Sequence, residues 1–269
     1  MIRRIFPIII CAILEACSTE RPLAERVTVE NPPAAESQPT VRTYSYVVIE
    51  KYPHDLSAFT QGLVLFNGVF LESTGQYGQS SIRRVDIRTG KVKKIERLDD
   101  RYFGEGMTVL NGAVYMITWL NQTGIVFDPV SLKKIDSFSY AGEGWGLTND
   151  GTNLIMSNGS HVLSVIDPKS HAVQRSIAVT LNGSPVGQLN ELEWIEGEIW
   201  ANVWRSDRIV SINPTSGQVT GMIDLTGLLP DSERRVSTDV LNGIAYNAQA
   251  KAVYITGKNW PHVYLIKIQ

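Results

Sequence analysis

Residues 105–129 read EGMTVLNGAVYMITWLNQTGIVFDP, and this stretch shows the unit from which most of the chain is built. Two short β-rich runs flank an Asn-Gly turn, and after a polar loop a third run ends at an Asp-Pro turn, without a helical period. Further copies of this pattern lie on either side of it. Aligned at the first apolar residue, the copies are anchored at Leu63, Met107, Leu147, Leu192 and Ile244.

The distance between the copies indicates the fold. Successive anchors are 44, 40, 45 and 52 residues apart, which is the length of a four-stranded propeller blade rather than of a strand pair in a sandwich. Four copies also end their third strand in an Asp or Asn turn, at Asp86, Asp128, Asp167 and Asn213. We therefore predict an all-β domain over residues 42–269 that folds as a five-bladed β-propeller, with a β-sandwich as the alternative.

The way the ring closes follows from an unequal count of strands. The last copy, residues 243–269, contains three recognisable strands, whereas a strand at Tyr44–Glu50 precedes the first copy and belongs to none. We predict that this N-terminal strand is the fourth strand of the last blade. Such closure pairs two sheet edges that would otherwise stay open, and it locks the ring without a covalent bond.

The first 41 residues differ from the repeats. Two arginines precede the apolar run Ile5–Leu14, which is typical of a secretory signal and too short to span a bilayer. We expect residues 1–16 to be a signal peptide and Cys17 to resemble the lipidated cysteine of a bacterial lipobox, with ordinary signal cleavage as the alternative. Residues 17–41, rich in Pro, Glu, Ser and Thr, are expected to form a disordered tether. The protein is then exported, either periplasmic or anchored to the outer membrane.

Composition excludes several classes of function. The formal net charge is -2, so no strong field attracts nucleic acid or an anionic membrane. The chain has only 4 His and 2 Cys, which leaves little for a zinc cluster, and we predict neither a metal nor a cofactor in the reaction. Motifs of serine hydrolases and nucleotide-binding proteins are absent from the sequence. Surface or loop positions are expected for the histidines: His54, His161, His171 and His262.

Candidate chemistry lies at the start of each repeat, because the innermost strands of a propeller and the loops on one face converge on a central funnel. The sequence there reads FTQGL at 59–63, FGEGMT at 103–108, EGWGLT at 143–148, LNELEW at 189–194 and LNGIAYN at 241–247. Nearby strand ends add ANVWRSDRIVSINP at 201–214 and ITGKNWP at 255–261. These seven co-linear motifs resemble the glutamine cyclotransferases of the plant and bacterial type, and the similarity covers about Tyr46 to Ile268.

The resemblance implies an activity and a set of residues. The family folds as five-bladed propellers and converts the N-terminal glutamine of peptides and proteins to pyroglutamate, with release of ammonia and without zinc. Glu105 resembles its acid/base carboxylate. The positions that resemble its substrate pocket are Phe59, Gln61, Phe103, Trp119, Trp145, Asn190, Trp204 and Lys258. The implied partner is a peptide with N-terminal glutamine, and we expect a monomer.

These residue types suit the chemistry of cyclisation. The α-amine attacks the γ-carboxamide carbon of the same residue, and one carboxyl can take the proton of the amine and pass it to the departing amide nitrogen. Gln61, Asn190 and Lys258 can donate to the oxyanion, and the sequence does not choose among them. The aromatic wall is expected to exclude water and to raise the pKa of Glu105 by desolvation. Gly104 and Gly106 would let the backbone approach the substrate.

Other interpretations stay open at the level of sequence. Glu143, Glu191 and Glu193 are alternative second carboxylates, although hydrogen bonds to backbone amides around the channel, or a structural calcium ion there, are the favoured explanation. Packing or rim positions are assigned to Trp194, Trp200 and Trp260. The rival functions are a non-enzymatic envelope scaffold that binds a peptide and a calcium-dependent propeller lactonase. The combination of Glu105, the funnel tryptophans and Asn190 favours the enzyme.

Overall fold

The structure, a computed structural model, describes residues 40–269, so the predicted signal peptide, Cys17 and nearly all of the predicted tether lie outside the described residues. The described chain contains β-strands and one short 3-10 helix. None of its helices is long and apolar enough to cross a membrane.

The strands follow one another as five blades. The chain starts with β1 (Arg42–Tyr44) and β2 (Tyr46–Pro53). Blade 1 consists of β3 (Thr60–Phe66), β4 (Val69–Thr74), β5 (Ser81–Val85) and β6 (Val92–Arg97). Blade 2 consists of β7 (Gly104–Leu110), β8 (Ala113–Thr118), β9 (Thr123–Phe127) and β10 (Lys134–Ser139). Blade 3 consists of β11 (Leu147–Asn149), β12 (Leu154–Met156), β13 (Val162–Ile166) and β14 (Val173–Ala178).

A small hairpin and a long connection interrupt this regularity. The hairpin, β15 (Thr180–Leu181) and β16 (Ser184–Pro185), precedes blade 4. Blade 4 consists of β17 (Leu189–Ile195), β18 (Glu198–Val203), β19 (Arg208–Ile212) and β20 (Val219–Asp224). The connection to the last blade carries the 3-10 helix Asp231–Glu233. Blade 5 consists of β21 (Leu241–Asn247), β22 (Ala252–Gly257) and β23 (His262–Ile268) together with β2.

The first strands of the blades surround the central axis. Each of the strands β3, β7, β11, β17 and β21 contacts the corresponding strand of the two neighbouring blades, so the five form a closed ring. Within a blade, the following strands pair antiparallel and lie progressively further out. The five-bladed propeller is therefore confirmed, and the β-sandwich alternative is wrong.

The ring closes as predicted, although the closing strand has other bounds. Strand β2 pairs antiparallel with β23, with Tyr46 opposite Ile268, and is the outermost strand of blade 5. The predicted strand Tyr44–Glu50 is in fact divided at Ser45, because Tyr44 belongs to β1, which pairs parallel with β20 at the outer edge of blade 4. The Tyr44 ring stacks on Trp200 with the ring centroids 5.3 Å apart. A side chain at Gly221 would collide with the Tyr44 ring, so this glycine leaves the space for β1.

The blades are held together by hydrophobic clusters, and those of the described chain lie one at each blade–blade interface. Leu71 and Ile82 of blade 1, for example, are fully buried against Met107 and Val114 of blade 2. Burial of such a side chain contributes about 1.5–3 kcal/mol. Outermost strands such as β6 are exposed along their whole length. The sequence pattern therefore shows three strands per repeat, because the fourth lacks an apolar run.

Candidate active site

The predicted site residues converge at one end of the propeller. In each hairpin the start of the first strand and the end of the second lie side by side, because the two strands are antiparallel. One cavity of about 290 Å³ at this end is lined by all the residues predicted from the motifs: Phe59, Gln61, Phe103, Glu105, Trp119, Trp145, Asn190, Trp204 and Lys258. Three further lining residues, Arg205, Asp239 and Val240, were missed.

Three polar residues of this cavity share one position in the repeat. Each lies two residues before the anchor of its blade, within an interruption of the strand register. Such bulges redirect a side chain out of the strict in-and-out alternation of a strand, here toward the cavity. The residues concerned are Gln61 in β3, Glu105 in β7 and Asn190 in β17.

Glu105 lies at the base of the cavity and is 6% exposed. Burial raises its pKa well above the ordinary value, the positive charge of Lys258 acts in the opposite direction, and the negative charge of Glu143 adds to the rise. Its Oε1 accepts a hydrogen bond of 3.0 Å from Nε2 of Gln61. A carboxyl whose pKa lies above its ordinary range is suited to take up and return a proton.

Asn242 holds Gln61 in place beneath the cavity. It occupies the equivalent position in blade 5 and is fully buried. Its Nδ2 donates to the backbone oxygen of Thr60 at 3.0 Å and to Oε1 of Gln61 at 3.4 Å. The Gln61 amide then turns its N–H group to Glu105. The position two residues before the anchor at Ile244 is the sequence signal that would have identified Asn242.

The aromatic residues form the upper wall and are half-buried. Phe103 makes edge-to-face contacts with Phe59 and Trp119, with ring centroids 6.1 and 5.6 Å apart. Trp145 and Trp204 contact each other in the same way at 5.3 Å. Edge-to-face pairs of this kind favour fixed ring orientations. The cavity thus has an apolar wall above a polar floor.

Glu143 orients two of these rings rather than serving as a second carboxylate in the cavity lining. Its Oε2 accepts hydrogen bonds from the indole N–H of Trp119 at 2.7 Å and of Trp145 at 2.9 Å. These bonds join the walls contributed by blades 2 and 3.

Lys258 is buried rather than a solvated surface charge, with 5% of its surface exposed. Burial lowers its pKa, while the charges of Glu105 and Asp239 act in the opposite direction. Its ammonium lies 4.9 Å from the centroid of the Phe59 ring. The ammonium therefore lies beside the aromatic wall, where its charge acts on Glu105.

The glycines beside Glu105 lie at close contacts between strands. A side chain at Gly106 would collide with the backbone of Gly146 and Leu147 in blade 3, and one at Gly104 with Met116 and Thr74. Gly106 therefore permits close packing of neighbouring innermost strands, and Gly104 permits close packing against the second strands of blades 1 and 2. The approach of the backbone to a substrate at these glycines stays a prediction.

The other two carboxylates bond to the backbone around the channel. Glu191 stands where the other four blades have glycine, and its carboxylate accepts from the backbone N–H of Ile244 at 3.0 Å and of Leu63 at 3.4 Å. Glu193 accepts from the backbone N–H of Tyr246 at 2.8 Å. Burial raises the pKa of both, that of Glu193 to about 8. Within residues 40–269, no three His, Cys, Asp or Glu side chains are grouped to hold a metal ion.

His54 is buried, which corrects the surface or loop position expected for it. Its two ring nitrogens lie 2.8 Å from the backbone oxygen of Trp260 and 2.8 Å from Oε1 of Glu72. Arg83 bonds Oε2 of Glu72 at 2.5 Å and Oδ2 of Asp55 at 2.7 Å. The expectation failed because these partners are distant in sequence, so no local spacing reveals the network.

Fold and cavity together define a propeller with a buried carboxyl of raised pKa beside an aromatic wall. A sequence model of the glutamine cyclotransferase family matches residues 20–268. The chain is 44% identical over 228 residues to a glutaminyl-peptide cyclotransferase of Arabidopsis thaliana, which covers 82% of this chain and 71% of the relative. The crystal structure of Myxococcus xanthus glutaminyl cyclase superposes with a TM-score of 0.80 at 32% identity, covering 86% of this chain and 99% of that one.

The chain therefore belongs to the glutamine cyclotransferase family, and it is an enzyme. This membership argues against the two alternatives considered from sequence, a binding scaffold and a calcium-dependent lactonase.

Proposed function

We propose that this glutamine cyclotransferase converts the N-terminal glutamine of peptides and proteins to pyroglutamate, with Glu105 as the proton shuttle. The observation that carries the assignment of Glu105 is its buried carboxyl with a raised pKa at the base of the cavity. No other carboxyl among the cavity-lining residues of the described chain is buried, since Asp239 is exposed.

The reaction uses one proton twice. The neutral α-amine of the glutamine attacks the carbon of its own γ-carboxamide, and Glu105 takes a proton from the amine as the new C–N bond forms. Glu105 then returns that proton to the carboxamide nitrogen as the old C–N bond breaks. Ammonia leaves, the five-membered lactam remains, and the carboxyl regains its initial state. Because the attack is intramolecular, much of the rate gain comes from holding the glutamine side chain in a bent conformation, with its γ-carboxamide close to the α-amine.

The remaining cavity residues support this step in two ways. Asn190 and Lys258 are assigned to the oxyanion of the tetrahedral intermediate, since Gln61 already donates to Glu105. The aromatic wall orients the glutamine side chain and excludes the water that would hydrolyse its amide. The reaction as proposed needs no cofactor, so EDTA is expected to leave it intact.

The test follows ammonia release and pyroglutamate formation from a glutaminyl dipeptide in the presence of EDTA. We expect turnover by the wild type and a loss of about 10²–10⁴-fold in Glu105→Gln, which keeps the shape of the side chain but transfers no proton. Glu96→Gln, an exposed change on β6, is the matched control and should retain wild-type activity. Turnover that survives Glu105→Gln would assign the shuttle elsewhere, and a folded wild type without turnover would refute the function.

We also propose that the protein is exported and lipidated at Cys17 and acts as a monomer. The support is the sequence of residues 1–17, with its basic start, apolar run and lipobox-like cysteine. Mass spectrometry of the mature N-terminus from a bacterial host should find an acylated Cys17 and no residues before it. Ordinary signal cleavage without a lipid would support export and contradict the lipid anchor. Measurement of the molar mass in solution tests whether the protein is a monomer.

A further inference from the structure

The cavity is continuous with a groove that the proposed chemistry does not use. Arg205, Asp239 and Val240, which line the cavity, also line a second depression of about 390 Å³ beside it. Asp207, Arg234 and Thr238 are among the residues that form the rest of this groove. The groove therefore lies between blades 4 and 5, along the connection that precedes β21.

A peptide substrate needs a way out of the cavity. Cyclisation requires the α-amine and the γ-carboxamide of glutamine to meet at Glu105, so only the α-carbonyl of that residue can continue toward solvent. The backbone of the next residues carries donors and acceptors that need partners wherever they are desolvated. On the side of blades 1 and 2 the cavity is bordered by aromatic rings, with Tyr77 in contact with Phe103 at 5.4 Å. The ring of Phe103 carries no hydrogen-bonding group.

The groove, in contrast, supplies both kinds of partner. Arg205 and Arg234 carry N–H donors for peptide carbonyls, and Asp207 and Asp239 carry acceptors for peptide N–H groups. The guanidinium of Arg205 lies 4.3 Å from the ring centroid of Trp204, a wall residue of the cavity. Contact with an aromatic face holds the guanidinium in place.

The groove is also attached to the catalytic floor. The backbone N–H of Asp239 donates to the oxygen of Lys258 at 2.9 Å, and the N–H of Lys258 donates to the oxygen of Val240 at 2.9 Å. Further out, Glu233 of the 3-10 helix pairs with Lys51 at 2.7 Å and with His262 at 3.1 Å, both in blade 5. Residues 233–240 of the connection are thus held at both ends.

We propose that this groove binds the second and third residues of the peptide substrate in an extended conformation, with Arg205 and Arg234 donating to their carbonyl groups. The inference rests on the proposed function. It makes the enzyme selective for glutamine at the start of a chain over glutamine derivatives that have no following residue.

The experiment compares kcat/KM for glutaminamide, Gln-Ala-amide, Gln-Ala-Ala-amide and Gln-Ala-Ala-Ala-amide. In the wild type we expect kcat/KM to rise about tenfold or more from glutaminamide to the tripeptide and to change little with a further residue. In Arg234→Ala the ratio of tripeptide to glutaminamide should fall about five- to tenfold. Arg234 is exposed, and its surface ion pair with Asp231 contributes little to stability, so the variant is expected to fold.

Arg235→Ala is the matched control, because this neighbouring arginine is also exposed but does not line the groove. In this variant kcat/KM should depend on the length of the peptide substrate as it does in the wild type. Equal kcat/KM for all four substrates would overturn the proposal that the groove binds the peptide, while leaving the cyclotransferase activity intact. The same conclusion would follow if the ratio of kcat/KM for the tripeptide to that for glutaminamide fell equally in Arg234→Ala and Arg235→Ala. Absence of ammonia release from every substrate would instead overturn the proposed function and the groove with it.

Discussion

Two buried carboxyl groups in adjacent blades, Glu72 and Glu105, differ in what surrounds them. Glu72 lies on β4 and is 1% exposed, whereas Glu105 lies on β7 and is 6% exposed. Burial alone would raise the pKa of Glu72, but the charges of Arg83 and His54 and the hydrogen bonds of His54 and Thr60 hold it well below its ordinary value. Glu105 has a neutral hydrogen-bond partner in Gln61, and burial raises its pKa.

The difference shows that burial does not by itself make a carboxyl catalytic. The carboxylate of Glu72 is bonded to Arg83, His54 and Thr60, so its proton affinity is low, and it joins blades 1 and 5 through His54, which also bonds to Trp260. Glu105 has a high proton affinity and borders a cavity, so it can exchange a proton with a ligand. The two groups should respond to the same substitution in opposite ways.

The largest effect on stability is expected from Glu72→Gln. This change leaves Arg83 and His54 buried with less compensating charge, and we expect the free energy of unfolding at pH 7 to fall by about 3–5 kcal/mol. Urea denaturation monitored by tryptophan fluorescence measures it. Because the folded-state pKa of Glu72 is lowered, its contribution is present above the unfolded-state pKa and is lost as the pH falls through the folded value. The gap between variant and wild type should therefore close in strong acid, and a cost below about 1 kcal/mol at pH 7 would contradict this role.

Glu105→Gln should have the opposite sign in the same experiment. A carboxyl whose pKa is raised by burial destabilises the folded state at pH values above its unfolded-state pKa, and a neutral amide does not. The variant should be at least as stable as the wild type at pH 7, with an advantage that grows as the pH rises from acid. A loss of stability comparable to that of Glu72→Gln would show that Glu105 is a structural carboxylate.

Two neighbours of Glu105 should shift the pH dependence of kcat in opposite directions. Removal of the negative charge in Glu143→Gln lowers the pKa of Glu105, so the acid limb of the profile moves to lower pH. Removal of the positive charge in Lys258→Met raises that pKa, so the limb moves to higher pH. We expect shifts of about one pH unit, the scale of a single nearby charge. If the acid limb moved in the same direction in both variants, or in neither, Glu105 would not be the group whose titration produces that limb.

The smallest effect is expected from Asn242→Ala. This change removes the hydrogen bond from the Asn242 amide to Oε1 of Gln61, which orients the Gln61 amide so that its Nε2 faces Glu105. A hydrogen bond of this kind is worth about 1 kcal/mol. We expect kcat to fall about fivefold with little change in KM, and the acid limb of the pH profile to move. Asn202→Ala, which removes a buried amide bonded to the backbone of Gly243 instead, is the control. If it shifted the pH profile as Asn242→Ala does, Asn242 would have no specific role at Glu105.

Much of the fold and of the candidate site could be predicted from the sequence by itself. The number of blades, the closure by an N-terminal strand and the convergence of nine residues on one cavity follow from repeats of about 40–50 residues that carry polar or aromatic residues at their start and at the end of the second strand. These are properties of local patterns, and a repeat of fixed length places equivalent residues at equivalent positions of the ring. Asn242 obeys the same rule and was missed because its side chain lies beneath the cavity.

Only the tertiary structure decided the rest. The division of the first predicted strand at Ser45, the burial of His54 against Glu72 and the packing of Gly106 against blade 3 depend on partners from other parts of the chain. The same is true of the lowered pKa of Glu72 and of the groove formed by Arg205, Arg234 and Asp239. Desolvation and ion pairing depend on distance in space, and a local pattern of residue types does not show which distant residues pack against a given side chain.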